Sequence, residues 1–75
     1  MSGFLEVKLG AKEQREGHYW AVDVDRIVLV TSTKANDRNS AAQVRWSRWD
    51  ESHQDVVCVE TYDQVMREIA KLKSG

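Results

Sequence analysis

The sequence predicts an α+β fold in which an antiparallel sheet of four to five strands is followed by one C-terminal helix packed on one face. Short apolar or alternating runs, separated by polar segments, fill residues 4–60, and this pattern is typical of antiparallel strands. The apolar spacing then changes to the period of a helix. With 75 residues, of which 41% are hydrophobic and 31% charged, the chain has material for a single domain, residues 1–75.

The first two predicted strands are short. Residues 4–9 alternate between apolar and charged side chains, so we expect a strand with one buried face. Residues 11–17 are polar and predict a connecting loop, which leads into an aromatic strand over residues 18–22. We expect a tight corner at Asp23–Asp25, because aspartate side chains accept hydrogen bonds from nearby backbone amides.

The middle of the chain contains its most apolar segment. Residues 26–31 predict a central strand that is buried on both faces. Residues 32–42 have almost nothing to bury and predict an exposed, mobile hairpin loop. Two further strands are predicted over residues 43–49 and 56–60, with a polar turn between them.

The C-terminal helix is predicted over residues 62–73. Thr61 and Gln64, three positions apart, match a capping box. An acidic residue in the first turn and two lysines in the last complement the helix dipole. Five apolar side chains recur at helical spacing and define the predicted buried face: Tyr62, Val65, Met66, Ile69 and Ala70.

Charge and hydropathy restrict the classes of partner. The net charge of -1 predicts no general attraction to nucleic acid or to an anionic membrane, although residues 26–49 carry five basic side chains and one acidic one. The longest uninterrupted apolar run, Ile27–Val30, is too short to span a membrane. Residues 1–4 lack the basic region and the long apolar stretch of a signal peptide, so we expect a cytoplasmic protein without a membrane partner.

No catalytic residue, metal site or cofactor is predicted. The single cysteine, Cys58, excludes an internal disulfide and a cysteine-built zinc site, and its valine neighbours are typical of a small core side chain. The two histidines, His18 and His53, lack further ligands at metal-binding spacing. An enzyme that uses Cys58 or His53, with Asp55 as the orienting group, is the weaker alternative.

One stretch of sequence favours binding. In Arg45–Trp49 a strand would direct Trp46 inward and Trp49 outward, beside Arg45. Tryptophan and arginine are enriched in protein-binding hot spots, and they also stack on bases and hold phosphates. The alternative is that both tryptophans pack under the helix while the arginines are solvated. The predicted binding residues are Arg45, Arg48, Trp49, Arg26, Lys34 and Arg38.

Two segments resemble a known family. Val22–Ile27 is similar to its strand-ending corner, and Val59–Ile69 to its junction between a valine-rich strand and a short helix. The chain thereby resembles small bacterial and phage proteins related to the flagellar and swarming motility (FlbD-like) family. The resemblance implies a compact sheet with a C-terminal helix and a non-enzymatic interaction role, related to motility or encoded by a phage or prophage.

We therefore expect a small protein-interaction module with a protein partner. A nucleic-acid-binding module that uses the Trp/Arg strand is the alternative. A core this small is marginally stable on its own, so self-association into a homo-oligomer is a further expectation.

Overall fold

The computed structural model describes residues 3–11 and 13–74. A short 3-10 turn, Val24–Arg26, connects the second and third strands. The regular elements are β1 (Phe4–Lys8), β2 (Tyr19–Asp23), β3 (Ile27–Ser32), β4 (Ala41–Ser47), β5 (His53–Thr61) and α1 (Tyr62–Ser74). The α+β class with one C-terminal helix is confirmed, but the strands form two antiparallel sheets, β1–β2 and β3–β4–β5, rather than one.

A narrow joint connects the two sheets. Leu9, which follows β1, forms an isolated antiparallel bridge with Cys58 of β5, and the Gly10 N–H donates to the Val57 carbonyl at 2.8 Å. Beside it, the backbone N–H of Lys8 donates to the carboxylate of Glu60 at 3.0 Å instead of to a strand carbonyl. The carboxylate of Glu13 likewise accepts the N–H of the residue before Cys58 at 2.8 Å. Here side-chain carboxylates, rather than carbonyls of a neighbouring strand, accept these N–H groups, so the two sheets do not merge into one. The periodicity of the sequence does not indicate this division.

The core lies between the two sheets and the helix. Among the described residues, every strand except β3 contributes buried side chains to it, together with Val24 of the 3-10 turn and two residues of α1. Ile27 and Val30 of β3 are only partly buried and pack against this core. The helix contacts both sheets and therefore holds them together. The buried apolar side chains are Leu5, Val7, Leu9, Val22, Val24, Ala42, Val44, Val56, Cys58, Val65 and Ile69.

The prediction for the most apolar strand was wrong. β3 lies at the edge of its sheet and contains no buried residue, and Val28 and Leu29 are 51% and 45% exposed. The pairing register with β4 shifts between Ile27 and Leu29, which makes Val28 the extra residue of a bulge. An apolar run is buried on both faces only when other elements cover both faces, and the single helix here lies on one side.

The predicted mobile loop is tied to the helix. The first two N–H groups of α1, those of Tyr62 and Asp63, donate to the carbonyls of Ser40 and Arg38, each at 3.0 Å. The side chain of Ser40 is buried and donates to the carbonyl of Asp37 at 2.7 Å. The loop therefore supplies acceptors to the open N-terminus of the helix, a long-range role that its polar composition does not reveal. β4 begins and ends two residues earlier than predicted.

The C-terminal helix and its capping box form as predicted. The Thr61 N–H donates to Gln64 Oε1 at 3.0 Å, and the Gln64 N–H donates to Thr61 Oγ1 at 3.2 Å, which is a reciprocal capping box. The buried face is narrower than predicted, because Met66 and Ala70 are exposed. Among the described residues, no helix has the length and apolar character needed to cross a membrane.

The corner after β2 also forms as predicted. Asp23 Oδ1 accepts the backbone N–H of Asp25 at 3.0 Å and thereby caps the 3-10 turn. This turn carries the chain from β2 in one sheet to β3 in the other. It also places Arg26 immediately before the exposed strand.

Candidate functional site

The six residues predicted to bind a partner do not form one surface. Arg45 lies on the outer face of the three-stranded sheet, opposite Asp55 of β5. Its Nε donates to Asp55 Oδ1 at 2.8 Å, and Gln43 also donates to this carboxylate, at 3.1 Å. This hydrogen bond from Arg45 to Asp55 lowers the pKa of Asp55 and raises the pKa of Arg45. Arg45 is therefore already paired within the fold.

Arg38 is also paired. Its Nη2 lies 3.1 Å from Asp63 Oδ1, and its guanidinium lies 5.1 Å from the centre of the Tyr62 ring. Arg67, one helical turn further on, binds the other oxygen of Asp63 at 3.0 Å. Arg38 thus connects the hairpin loop to the start of α1.

Trp49 projects from the turn between β4 and β5 and is 82% exposed. The turn begins at Arg48, whose N–H donates to the Ser52 carbonyl at 2.8 Å, and Glu51 adopts a φ of 69° within it. Trp49 therefore lies beyond the end of the strand rather than beside Arg45 on a shared face.

The other two predicted residues flank β3. Arg26 immediately precedes the strand, Lys34 follows it by two residues, and both are exposed. In the described part of the chain, neither side chain has a carboxylate oxygen within 4.0 Å. The nearby carboxylates of Asp23 and Asp37 accept backbone N–H groups instead.

The outer edge of β3 presents free backbone groups. In the residues that the structure describes, β4 is its only strand neighbour. The Thr33 N–H donates to the carbonyl of the facing residue, Ala41, at 2.9 Å. Bonded and non-bonded pairs alternate along an antiparallel ladder, so Thr31 and Leu29 also direct their backbone groups toward β4. Val30 and Ser32 must then direct their N–H and C=O groups outward.

A shallow groove continues this surface across the outer face of the sheet. It has a volume of about 650 Å³ and runs from residues 32–34 to Gly10 and Ala11. Val57 and Val59 contribute to its lining, and Val59 is mostly exposed. The strand edge and the adjoining groove together make an exposed apolar surface with cations at both ends of β3.

A second concave site lies between the two sheets. Trp20, Trp46, Arg26, Arg48 and Gln54 contribute to a cleft of about 230 Å³. The indole nitrogen of Trp46 is buried and has no hydrogen-bond partner among the described residues. The cleft brings together two of the six predicted residues. The sequence prediction missed Trp20, whose only signal is its place in an aromatic strand.

Cys58, the residue considered as a nucleophile, lies inside the fold. Cys58 is buried, its Sγ lies 3.4 Å from the Ala42 carbonyl, and burial raises the pKa of the thiol to about 11. The thiolate needed for nucleophilic attack is therefore disfavoured near neutral pH. Within residues 3–11 and 13–74, no three His, Cys, Asp or Glu side chains lie where they could hold a metal ion.

Comparison with known proteins finds no match among family models, curated proteins or solved structures. The resemblance to the FlbD-like family therefore stays a prediction. The strand edge, the groove and the cleft are the features of the structure that bear on function.

Proposed function

We propose that the protein is a small interaction module that binds an extended segment of a partner protein as an additional strand along β3. The observation that carries the proposal is the exposure of β3. This strand is the most apolar in the chain, yet it has no buried residue and an open outer edge. Partner strands are commonly added to such edges, where backbone hydrogen bonds give affinity and side-chain pockets give specificity.

The expected binding free energies favour an interface that is larger than the edge of β3 alone. Burying a large aliphatic side chain contributes about 1.5–3 kcal/mol, so covering the half-exposed Val28 and Leu29 contributes about half of that for each. Each new backbone hydrogen bond adds about 1 kcal/mol. Micromolar affinity needs about 8 kcal/mol after the costs of ordering. The groove meets β3 at residues 32–34, so a partner segment that continues past this end of the strand would gain further apolar contact with Val57 and Val59.

The resemblance to the FlbD-like family supports the same class of function. It implies a non-enzymatic interaction role that is related to motility or to a phage or prophage. These aspects of the proposal rest on the resemblance alone.

Blocking the outward backbone groups tests the proposal. Proline lacks the N–H that a new strand would use, and its ring is tolerated at an edge position. Ser32→Pro therefore removes an outward donor without removing a bond to β4. Thr31→Pro is the matched control, because it removes an N–H that faces β4, and we expect it to lower the melting temperature.

A random library of displayed extended peptides supplies the ligands. We expect the wild-type protein to enrich peptides that shift the β3 amide resonances in ¹⁵N NMR spectra. Ser32→Pro should keep the wild-type circular dichroism spectrum and lose this binding. Equal binding by wild type and Ser32→Pro, or shifts confined to another surface, would contradict strand addition at β3. Failure to enrich any peptide would also count against the proposal.

The cleft supports the alternative, a nucleic-acid-binding module. Two tryptophans and two arginines contribute to its lining, and such residues stack on bases and hold phosphates. The pairing of Arg38 and Arg45 with carboxylates weakens this alternative, because it leaves fewer cations for phosphates. Titration with short oligonucleotides at low and moderate salt distinguishes the two. Tryptophan quenching that weakens with salt favours nucleic acid, whereas unchanged fluorescence argues against it.

A further inference from the structure

We infer that the β3 edge is built for an extended segment whose apolar residues are flanked by carboxylates, and not for a second copy of this chain. The inference rests on the proposed strand addition and specifies the chemistry of the partner. It comes from the charges at the two ends of β3.

Among the described residues, the two cations that flank β3 are unpaired, whereas Arg38 and Arg45 of the same region are paired. Arg26 and Lys34 are exposed and have no carboxylate within ion-pair distance in the described part of the chain. Arg38 and Arg45, by contrast, bind Asp63 and Asp55. Two of the three cations of residues 26–49 that are unpaired within the described part of the chain thus flank the exposed apolar strand, and the third, Arg48, lies in the turn after β4.

Their spacing defines the length of the segment. β3 has six residues and spans about 20 Å. A partner strand of similar length would cover the outward groups of Val30 and Ser32 with its middle and place its two ends near Arg26 and Lys34. Carboxylates at both ends of that segment would meet a cation in either strand direction.

The same charges disfavour self-pairing. Two copies related by a two-fold axis would pair β3 with β3 in antiparallel orientation. That arrangement brings the end that carries Arg26 toward the end of the other copy that carries Lys34, and like charges across paired strands are destabilising.

Two synthetic peptides test the inference directly. Both have the apolar core Val-Thr-Val-Thr-Val and capped termini, with two glutamates at each end in one peptide and two lysines in the other. Fluorescence anisotropy of labelled peptides measures binding. We expect the wild-type protein to bind the acidic peptide at least about tenfold more tightly than the basic peptide, and the preference should shrink as salt is raised.

Charge reversal provides the matched comparison. The double variant Arg26→Glu/Lys34→Glu should reverse the preference for the acidic peptide. The double variant Arg15→Glu/Lys73→Glu changes the net charge equally at exposed positions outside β3 and its flanks, and it should retain the wild-type preference. Ser32→Pro should bind neither peptide.

The outcomes separate this inference from the proposed function. Equal binding of both peptides by the wild type, with loss in Ser32→Pro, would overturn the charge inference and leave strand addition intact. A dimer in analytical ultracentrifugation that Ser32→Pro dissociates would identify a second copy as the occupant and overturn the inference. A monomer that binds neither peptide would contradict the inference. If the displayed library also yielded no ligand for β3, the proposed function would fail with it.

Discussion

Cys58 shows how burial determines the chemistry of a single side chain. Its thiol lies in the core at the joint between the two sheets, where burial raises its pKa from 9.0 to about 11. The valine-rich sequence around it predicts a core side chain, and this is where the structure places it. Its position at the joint follows from the bridge to Leu9, which is distant in sequence.

This pKa shift predicts a loss of stability in alkali. Below pH 9 the thiol is protonated in both the folded and the unfolded chain. Between about pH 9 and 11 the unfolded chain releases the proton first, so the free energy of unfolding falls by roughly 1.4 kcal/mol per pH unit. Urea unfolding at several pH values measures this slope. Cys58→Ala should remove the cysteine's share of it, and an identical slope in that variant would show that other groups cause the loss.

At Trp46 we expect a smaller aromatic side chain to leave the stability of the protein unchanged or higher. Its buried indole nitrogen has no partner among the described residues, and an unsatisfied buried donor costs about 1–3 kcal/mol. Trp46→Phe removes that donor and keeps an aromatic ring. We expect a melting temperature equal to or higher than that of the wild type.

Trp20→Phe is the control for this effect. Trp20 packs against the core, and its indole nitrogen is not among the buried unpaired atoms. Its truncation should lower stability by about 1 kcal/mol, as is usual for a smaller core side chain. If Trp46→Phe lowers the stability as much as Trp20→Phe does, the unpaired indole N–H of Trp46 does not destabilise the wild-type protein.

At the scale of elements, α1 is the part that the sequence describes best. Its bounds, its capping box and two of its buried positions follow from spacings of three and four residues. The width of its buried face does not, because that depends on how far the two sheets extend beneath it. Met66 fits the apolar pattern and still faces solvent.

Two substitutions on α1 test this distinction. Ile69→Asp places a charge in the core, and we expect it to unfold the domain or detach the helix. Met66→Asp carries the same charge at an exposed position three residues earlier and should change stability by less than about 1 kcal/mol. Thermal denaturation followed by circular dichroism compares them. Similar melting curves for the two variants would mean that the helix buries a different face.

β3 shows the opposite case among the elements. The run Arg26–Thr31 is apolar enough for a central strand, and its composition is the same whether it is covered or open. Its exposure depends on having β4 as its only described strand neighbour, which is settled by pairing across a hairpin. The sequence therefore predicts which residues form the strand but not whether the strand is central or at the edge of the sheet. The candidate binding edge depends on its position at the edge.

At the scale of the whole molecule, two carboxylates substitute for backbone partners where the sheets meet. Glu60 accepts the N–H of Lys8 across 52 residues of sequence, and Glu13 accepts that of Val57 across 44. Such contacts let a chain with one helix close a core between two small sheets.

Removing one of these acceptors tests their role. Glu60→Ala leaves the Lys8 N–H without its partner in a partly buried position, and we expect it to cost about 1–3 kcal/mol. Glu60→Gln keeps an acceptor oxygen and should lose less. Amide hydrogen exchange at Lys8 should accelerate in Glu60→Ala and stay slow in Glu60→Gln. Unchanged exchange in both variants would show that the side chain does not protect this amide.

The candidate site could be predicted from the sequence only in part. The composition of residues 26–49 identifies a basic, tryptophan-containing region, but it does not tell which cations are free. Arg45 and Arg38 are paired with Asp55 and Asp63, acids outside that region, whereas Arg26, Lys34 and Arg48 have no carboxylate within ion-pair distance among the described residues. Spatial pairing, not residue type, separates the two groups.

The sequence by itself determined the features that depend on neighbours within a few residues: the helix and its cap, the aspartate corner and the approximate positions of the strands. Only the tertiary structure decided the features that depend on contacts between distant segments. These are the division into two sheets, the docking of the loop on α1 and the open edge of β3. The physical reason is the sequence distance over which the interactions act. Local hydrogen bonds and periodic spacing involve residues that are close in the sequence. Whether a surface is covered depends on distant elements that pack against it.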